Sequence, residues 1–381
     1  MNADKRPADA RREEAKSEGF CNIVEYRQEK QVLLHRSKNM EKRFTLATVQ
    51  LDATPAPPPE RLSRAEKLVG KAAQAGAQLV VLPELFNTGY AYRLENFSLS
   101  EYAGGPTALW MKQTSAKWGI HLAGSLLLRD GDNIYNTLLL FAPDGRSWRY
   151  DKNYPWGWER GYFRGKRSIS IANTDLGAIG MLICWDIAHA DLWRQYAGKV
   201  DLMLACSCPP NMPDCTYVFL DGTQVSSAQL GKTMADMRQS ARQIYMDTPA
   251  QQTAWLGVPF IGSTACGTVF TAIPNPVGSF LGFLPFAPRM FRYLKHFRHI
   301  KVKATMVEAG NIFGSDGQLL AGLHNDQGED FVLAEVNLPS EPPQPGAPQP
   351  RPPVPWMVYF TSDIFLTTVS KGTYASRPAF C

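Results

Sequence analysis

The sequence predicts an α/β fold with a mixed sheet, and three observations carry that prediction. Short apolar runs alternate with stretches of helical periodicity from Phe44 onward. Several neighbouring runs are joined by turn residues, such as Asp144-Gly145, which predicts hairpins among the parallel pairs. The run at Ala178–Ile183 is apolar and small throughout, as expected of a strand buried on both faces.

Taken in order, Phe44–Leu51 is expected to be a strand and Glu60–Ala75 an amphipathic helix, with Leu62, Ala65, Leu68, Val69, Ala72 and Ala73 on one side. Gln78–Leu82 is the next strand, followed by a helix over Pro106–Trp118 and strands at His121–Leu128, Tyr135–Phe141 and Trp148–Tyr150. Ile169–Ile171 and Ala178–Ile183 flank a turn. Asp191–Ala197 is a short helix before the strand Asp201–Ala205. Beyond it, Ser226–Tyr245 reads as a helix and Ile261–Phe270 as one strand. Met306–Phe313, Leu319–Leu323 and Phe331–Val336 close the domain, with Ser315-Asp316-Gly317 as a turn.

The composition is that of an ordinary globular chain. Of 381 residues, 44% are hydrophobic and 20% charged, enough for a large core, and a net charge of +5 is too mild to indicate a nucleic-acid partner. Seven cysteines at irregular spacings do not read as a disulfide framework. Cys206, Cys208 and Cys215 lack a fourth ligand at zinc-like spacing, so no metal is expected. Without a signal-like start or a long unbroken apolar run, the expectation is a soluble, cytoplasmic chain.

Four regions follow from the composition. Residues 1–43 carry 11 Lys or Arg against 8 Asp or Glu with little apolar surface, and are expected to be a disordered tail, with Met40 as a candidate natural start. Residues 44–338 form the domain. Residues 339–355 hold nine prolines and read as an extended linker, and 356–381 are apolar enough to pack on the domain or on a second subunit. Within the domain, 271–300 reads as an insertion. No acid occurs from Thr248 to Val307, and Arg289–His299 has a helical pattern. Met290, Tyr293, Leu294, Phe297 and Ile300 fall on one side, six basic residues fall on the other, and Phe291 is out of place. Such a segment suits a lid or subunit contact; membrane-surface contact is the less favoured reading.

The chemistry concentrates just past three strands. AIGMLICWD delivers Cys184, Trp185 and Asp186 at the carboxyl end of one strand, where open α/β sheets hold their sites. Glu84 follows Gln78–Leu82, and Lys152 and Glu159 follow Trp148–Tyr150. A thiol needs a base to become a thiolate nucleophile, a carboxylate can serve as that base, and an ammonium can stabilise an oxyanion. Taken singly, each of these residues is more commonly structural; their joint position is what suggests a site.

These stretches resemble the motifs of the nitrilase, or carbon–nitrogen hydrolase, superfamily. Glu84 in LPELFNTGY, Lys152 in YDKNYP with Glu159 in WERGYFRG, and Cys184 in GMLICWDIAHADLWRQYA match its motifs in order, over about Phe44 to Leu338. The resemblance implies a four-layer αββα sandwich with two facing sheets, and hydrolysis of a non-peptide carbon–nitrogen bond through a cysteine thioester. It implies Glu84 as base, Lys152 and the Trp185 N–H at the oxyanion, and Glu159 orienting Lys152 or the substrate, with no cofactor and a homo-oligomeric assembly. Asp186, where nitrilases usually carry Glu, tips the expectation from a nitrile to an amide substrate. Rival readings are nitrile hydrolysis, transfer of the acyl group to an amine, and a catalytically silent interaction protein.

Overall fold

The computed structural model describes residues 42–231, 237–285 and 287–377. The expectations for the first 41 residues, including a start at Met40, lie outside them. Sixteen strands form in chain order among the described residues. The first eight are β1 (Lys42–Asp52), β2 (Leu79–Val81), β3 (His121–Asp130), β4 (Asn133–Phe141), β5 (Ser147–Asp151), β6 (Ile171–Thr174), β7 (Gly177–Ile183) and β8 (Leu202–Cys206). The rest are β9 (Thr216–Val218), β10 (Gln224–Ser226), β11 (Phe260–Cys266), β12 (Thr268–Ala272), β13 (Lys301–Thr305), β14 (Asn311–Phe313), β15 (Leu319–Gly322) and β16 (Asp330–Leu338).

The main sheet runs β5-β4-β3-β2-β1-β11-β8-β7-β6, with β16 on β1 and β14–β15 attached to β11. Its centre, from β3 to β7, is parallel, and hairpins close both ends. The continuous sheet folds so that its two halves face each other, which makes it nearly barrel-like. With helices outside, this is the αββα sandwich.

Period-two side-chain alternation builds the layers. Leu79 and Val81 of β2, and Leu138 and Leu140 of β4, enter the core between the two halves, together with Met181, Ile183 and Leu204 of β7 and β8. Their neighbours Val80, Leu139 and Phe141 point outward into a second core. The amphipathic helix Pro58–Gln74 covers that core with Ala65, Leu68, Val69 and Ala72, and the helix Pro106–Trp118 adds Ala108 and Met111. On the other half, Trp193 of the helix Ala190–Tyr196 packs on Phe260 with ring centroids 5.8 Å apart.

Four elements differ from the sequence expectation. Ser226–Tyr245 is not one continuous helix among the described residues: Ser226 ends β10, which forms a hairpin with β9 around Asp221-Gly222, Ser227–Leu230 is a 3₁₀-helix, and an α-helix at Ser240 runs on to Leu256 through a π-turn at Gln243–Asp247. Residues 232–236 lie outside the described set. The hairpin strands Thr216–Val218 and Gln224–Ser226 are neither apolar runs nor long enough to show alternation. Ile261–Phe270 is two strands, because Gly267 turns at φ +82° and passes the chain from the main sheet to a small sheet ordered β10-β9-β13-β12. Met306–Phe313 contributes only Asn311–Phe313 to a strand, with Lys301–Thr305 forming its own before it.

The fourth is the basic segment. It comprises an α-helix, Pro276–Phe283, and a 3₁₀-helix, Pro288–His299. The tighter winding alters the faces: Met290, Phe297 and Ile300 are buried, but Leu294 joins Phe291 at the surface, where Arg289, Arg292, Lys295 and Arg298 are also exposed. Phe297 and Phe280 pack together at 4.9 Å, and Phe280 meets Tyr217 of β9 at 5.2 Å.

The proline-rich stretch lies pinned against the domain. Gly346 pairs with Trp255, and Gln349 donates to Ala190 O. The chain then enters a helix from Trp356 to Ala375, interrupted by a π-turn at Phe360–Phe365. The Ile134 N–H of β4 donates to the hydroxyl oxygen of Tyr374 on this helix at 3.0 Å. Among the described residues no helix is long and apolar enough to cross a membrane.

One buried side chain ties the first helix to the loop that carries Glu84. Arg61 is 1% exposed and donates to the carbonyls of Phe86 (2.7 Å), Asp52 (2.8 Å) and Thr54 (2.8 Å). Arg61→Met strands those acceptors at a cost of about 3 kcal/mol. Calorimetry should register a melting temperature lower by roughly 5–10 °C; an unchanged melting temperature would show that the carbonyls find other partners.

Candidate active site

The four side chains singled out in the sequence come from three strand ends. Glu84 follows β2, Lys152 follows β5, and Glu159 sits in the 3₁₀ turn Gly157–Gly161. Cys184 opens the 3₁₀ turn Cys184–Ala188 directly after β7. Two of these ends bend through the left-handed region at non-glycine residues: Leu85 has φ +52° and Cys184 itself φ +50°. Such backbone costs about 1–3 kcal/mol per residue. At the first bend the Leu85 N–H donates to Ser125 Oγ (3.1 Å) and the Phe86 N–H to Ser125 O (3.3 Å). At the second, the Asp186 carboxylate accepts from the N–H groups of Ile183, Asn153 and Tyr154 and from Tyr150 OH. Asp186 is therefore a brace between the cysteine turn and the lysine loop.

Lys152, 0% exposed, joins the two glutamates. Its Nζ donates to Glu84 Oε1 and to Glu159 Oε2, both at 2.7 Å. Burial would push the ammonium down, but the charges of Glu159 and Glu84 outweigh it and hold Lys152 well above the ordinary lysine value. Glu159 is pushed up by burial, which the Lys152 charge only partly offsets. Its other contacts are the Trp156 N–H (2.8 Å) and Tyr90 OH (3.0 Å). Glu84 Oε1 also accepts from Asn136 Nδ2 at 2.7 Å, whereas its Oε2 is buried with no partner among the described residues.

The Cys184 thiol is pushed well above its usual value, first by burial and then by the Glu84 charge, with Lys152 pulling the other way. Its neighbour is a residue the sequence did not disclose. Tyr245 OH lies 3.1 Å from Sγ, presented by the π-turn at Gln243–Asp247. Burial holds that phenol protonated. Tyr245 is remote in sequence and sits at the end of a segment misread as one helix, so only its spatial position marks it. Asn136, in the middle of β4, was hidden in the same way.

The C-terminal helix completes the surroundings. Asp363 accepts from Trp185 Nε1 (2.8 Å) and lies 3.1 Å from His189 Nε2, and Tyr359 OH donates to Ala188 O (2.6 Å). Above Cys184 and Glu159 opens a cavity of about 100 Å³, lined largely by apolar side chains from β9, the helix after Ser240, Phe283 and the C-terminal helix. Cys206, Cys208 and Cys215 are buried free thiols, and no cluster of potential metal ligands occurs among the described residues.

Comparison with known proteins places these observations in a family. The chain is 32% identical to a nitrilase of Pyrococcus abyssi over 158 residues, and 34% identical to the omega-amidase NIT2 of Danio rerio over 168. These matches cover 40% and 41% of this chain, and the chain spans only 60% of the length of each relative. The fold is similar to that of an amidase from Nesterenkonia sp. AN1, crystallised as a double mutant with acrylamide. The TM-score is 0.55 at 16% identity, covering 77% of this chain and 90% of that one. The carbon–nitrogen hydrolase family model matches residues 45–340, most of the chain, and the protein belongs to that family.

Proposed function

We propose that the protein hydrolyses a non-peptide amide through a Cys184 thioester, with Glu84 as the base, Lys152 as the oxyanion partner and Glu159 holding Lys152. The observation that carries this reading is the division of labour on the Glu84 carboxylate. One oxygen is occupied by Lys152 and Asn136, while the other, buried, keeps an open lone pair for a proton. An elevated thiol fits this scheme: Cys184 rests as the neutral thiol and is deprotonated only as it attacks.

Glu84 takes the thiol proton as sulfur adds to the amide carbon. The carbonyl oxygen becomes an oxyanion, which meets the Lys152 ammonium and the Trp185 main-chain N–H. Lys152 has a third N–H beyond the two given to Glu84 and Glu159. Glu84 returns its proton to the departing nitrogen, and ammonia or an amine leaves the acyl-thioester. Glu84 then takes a proton from water as hydroxide adds to the thioester carbon; the carbon–sulfur bond breaks, the carboxylic acid leaves, and Glu84 returns the proton to the Cys184 sulfur. Tyr245 OH is a hydrogen-bond donor to the thiolate in both half-reactions.

Nitrile hydrolysis uses the same nucleophile, and the chain resembles both a nitrilase and an omega-amidase. Asp186 after Trp185, in place of the glutamate usual in nitrilases, favours the amide. Ammonia release measured across a panel of amides and nitriles separates the two. With hydroxylamine present, hydroxamate in place of free acid would reveal acyl transfer.

Cys184→Ala should abolish turnover while the circular-dichroism spectrum and melting temperature stay near wild type, since only a sulfur is lost. Glu84→Gln should reduce kcat by about 10²–10⁴-fold, the range for loss of a general base. Turnover surviving in Cys184→Ala, or a kcat near wild type in Glu84→Gln, would remove that residue from the mechanism.

Because burial and the Glu84 charge push the thiol well above the ordinary cysteine value, its alkylation by iodoacetamide should keep accelerating as pH rises to 9, without an earlier plateau. Tyr245→Phe should lower kcat about tenfold, the worth of one hydrogen bond to a charged group, and leave KM nearly unchanged. A plateau near pH 7 would mean that a resting thiolate exists. An unaltered kcat would make Tyr245 a packing residue.

A further inference from the structure

The cavity over Cys184 is unlike the polar cluster beneath it, and the contrast bears on what the enzyme accepts. Its walls include Met212, Tyr217, Ile244, Phe283, Val358 and Leu366. Glu159 is the one carboxylate among the described lining residues, and none of them is cationic. All of Glu159's described contacts are to Lys152, Trp156 and Tyr90, so it is committed to the protein. The nearby Lys152 is already shared between two carboxylates. A carboxylate carried on the substrate would therefore enter an apolar chamber with no cation among its described lining residues to receive it, over a cluster holding two acids and one base.

Size points the same way. A volume of about 100 Å³ accommodates on the order of seven water-sized groups, enough for a medium alkyl chain or one aromatic ring. Phe283 enters the wall from the basic segment, and its ring packs on Phe365 of the C-terminal helix at 5.3 Å. Trp158, also in the wall, is fixed by an indole hydrogen bond to Ser279 Oγ at 3.0 Å. The chamber is thus a built feature, braced by segments on both sides of the thiol.

Building on the amide-hydrolysis reading, we propose that the substrate's acyl part is uncharged and apolar, a medium-length alkyl or aryl carboxamide, and that this chamber selects it against amides bearing a carboxylate. Hexanamide and glutaramate make the test, since they are of similar length and differ at the far end. Binding to the Cys184→Ala protein is followed by the fluorescence of Trp156 and Trp158, and ammonia release by the unaltered chain is measured in parallel. Hexanamide and benzamide should bind at least tenfold more tightly than glutaramate and show at least tenfold higher kcat/KM.

Selective binding with no ammonia from any amide would uphold the chamber's preference and defeat the hydrolysis reading. Ammonia released equally from hexanamide and glutaramate, or faster from glutaramate, would overturn the preference and leave hydrolysis standing. Failure of all three amides to bind would also overturn it. Met212→Arg, or Phe283→Arg if the first variant melts early, should bring the hexanamide-to-glutaramate ratio below about threefold. An unchanged ratio in a folded variant would show that selection happens elsewhere.

Discussion

Everything at the site depends on one buried ammonium. Lys152 has no exposed surface and holds two carboxylates that would otherwise repel each other in a medium of low dielectric. Replacing such a cluster with apolar side chains costs a fold little, so it is weak evidence for stability and better evidence for chemistry. Its arrangement fixes the glutamates differently. Glu159 is saturated by Lys152, Trp156 and Tyr90, while Glu84 is held through one oxygen only.

Holding that cluster in place requires both halves of the sheet. Glu84 and Lys152 leave β2 and β5 on one half, and Cys184 leaves β7 on the other. Asp186 bridges the gap by accepting from Tyr150 of β5 and from the lysine loop while also capping the cysteine turn. The left-handed backbone at Leu85 and Cys184 is tolerated because hydrogen bonds over-determine each bend. A third constraint comes from the C-terminal helix, whose Asp363 and Tyr359 grip the same turn from outside.

The site thus joins two chemically different environments. Below the thiol lie a buried ammonium, two carboxylates and the amide groups that hold them. Above it, side chains from the 3₁₀ turn at Met212, the helix after Ser240, Phe283 and the C-terminal helix form a wall with almost no polar function. Those wall segments lie far apart in the chain and outside the three motifs. The charged cluster and most of the apolar wall are therefore drawn from separate parts of the sequence, with Trp156 and Trp158 beside Glu159 as the exception.

That separation explains what was legible. Strands β1 to β5, β7 and β8 and the helices Pro58–Gln74 and Pro106–Trp118 follow from their apolar runs and periodicity. β6 was expected at Ile169–Ile171 and forms at Ile171–Thr174, where little apolar surface marks it. The acid, lysine and cysteine were visible because each stands next to a strong strand signal. The β9–β10 hairpin was not, since its strands are neither apolar runs like β2 nor long enough to alternate, and neither was the 3₁₀ winding of Pro288–His299, whose spacing also fits an α-helix. Tyr245, Asn136 and Asp363 carry no local mark at all. By itself the sequence determined an α/β core with a mixed sheet and which residues stand at its strand ends, for both depend on local pattern, whereas the layering entered only through the family resemblance. Only the tertiary structure decided which carboxylate oxygen stays open, which phenol meets the thiol and how apolar the chamber is, because those properties arise between segments that the chain order keeps apart.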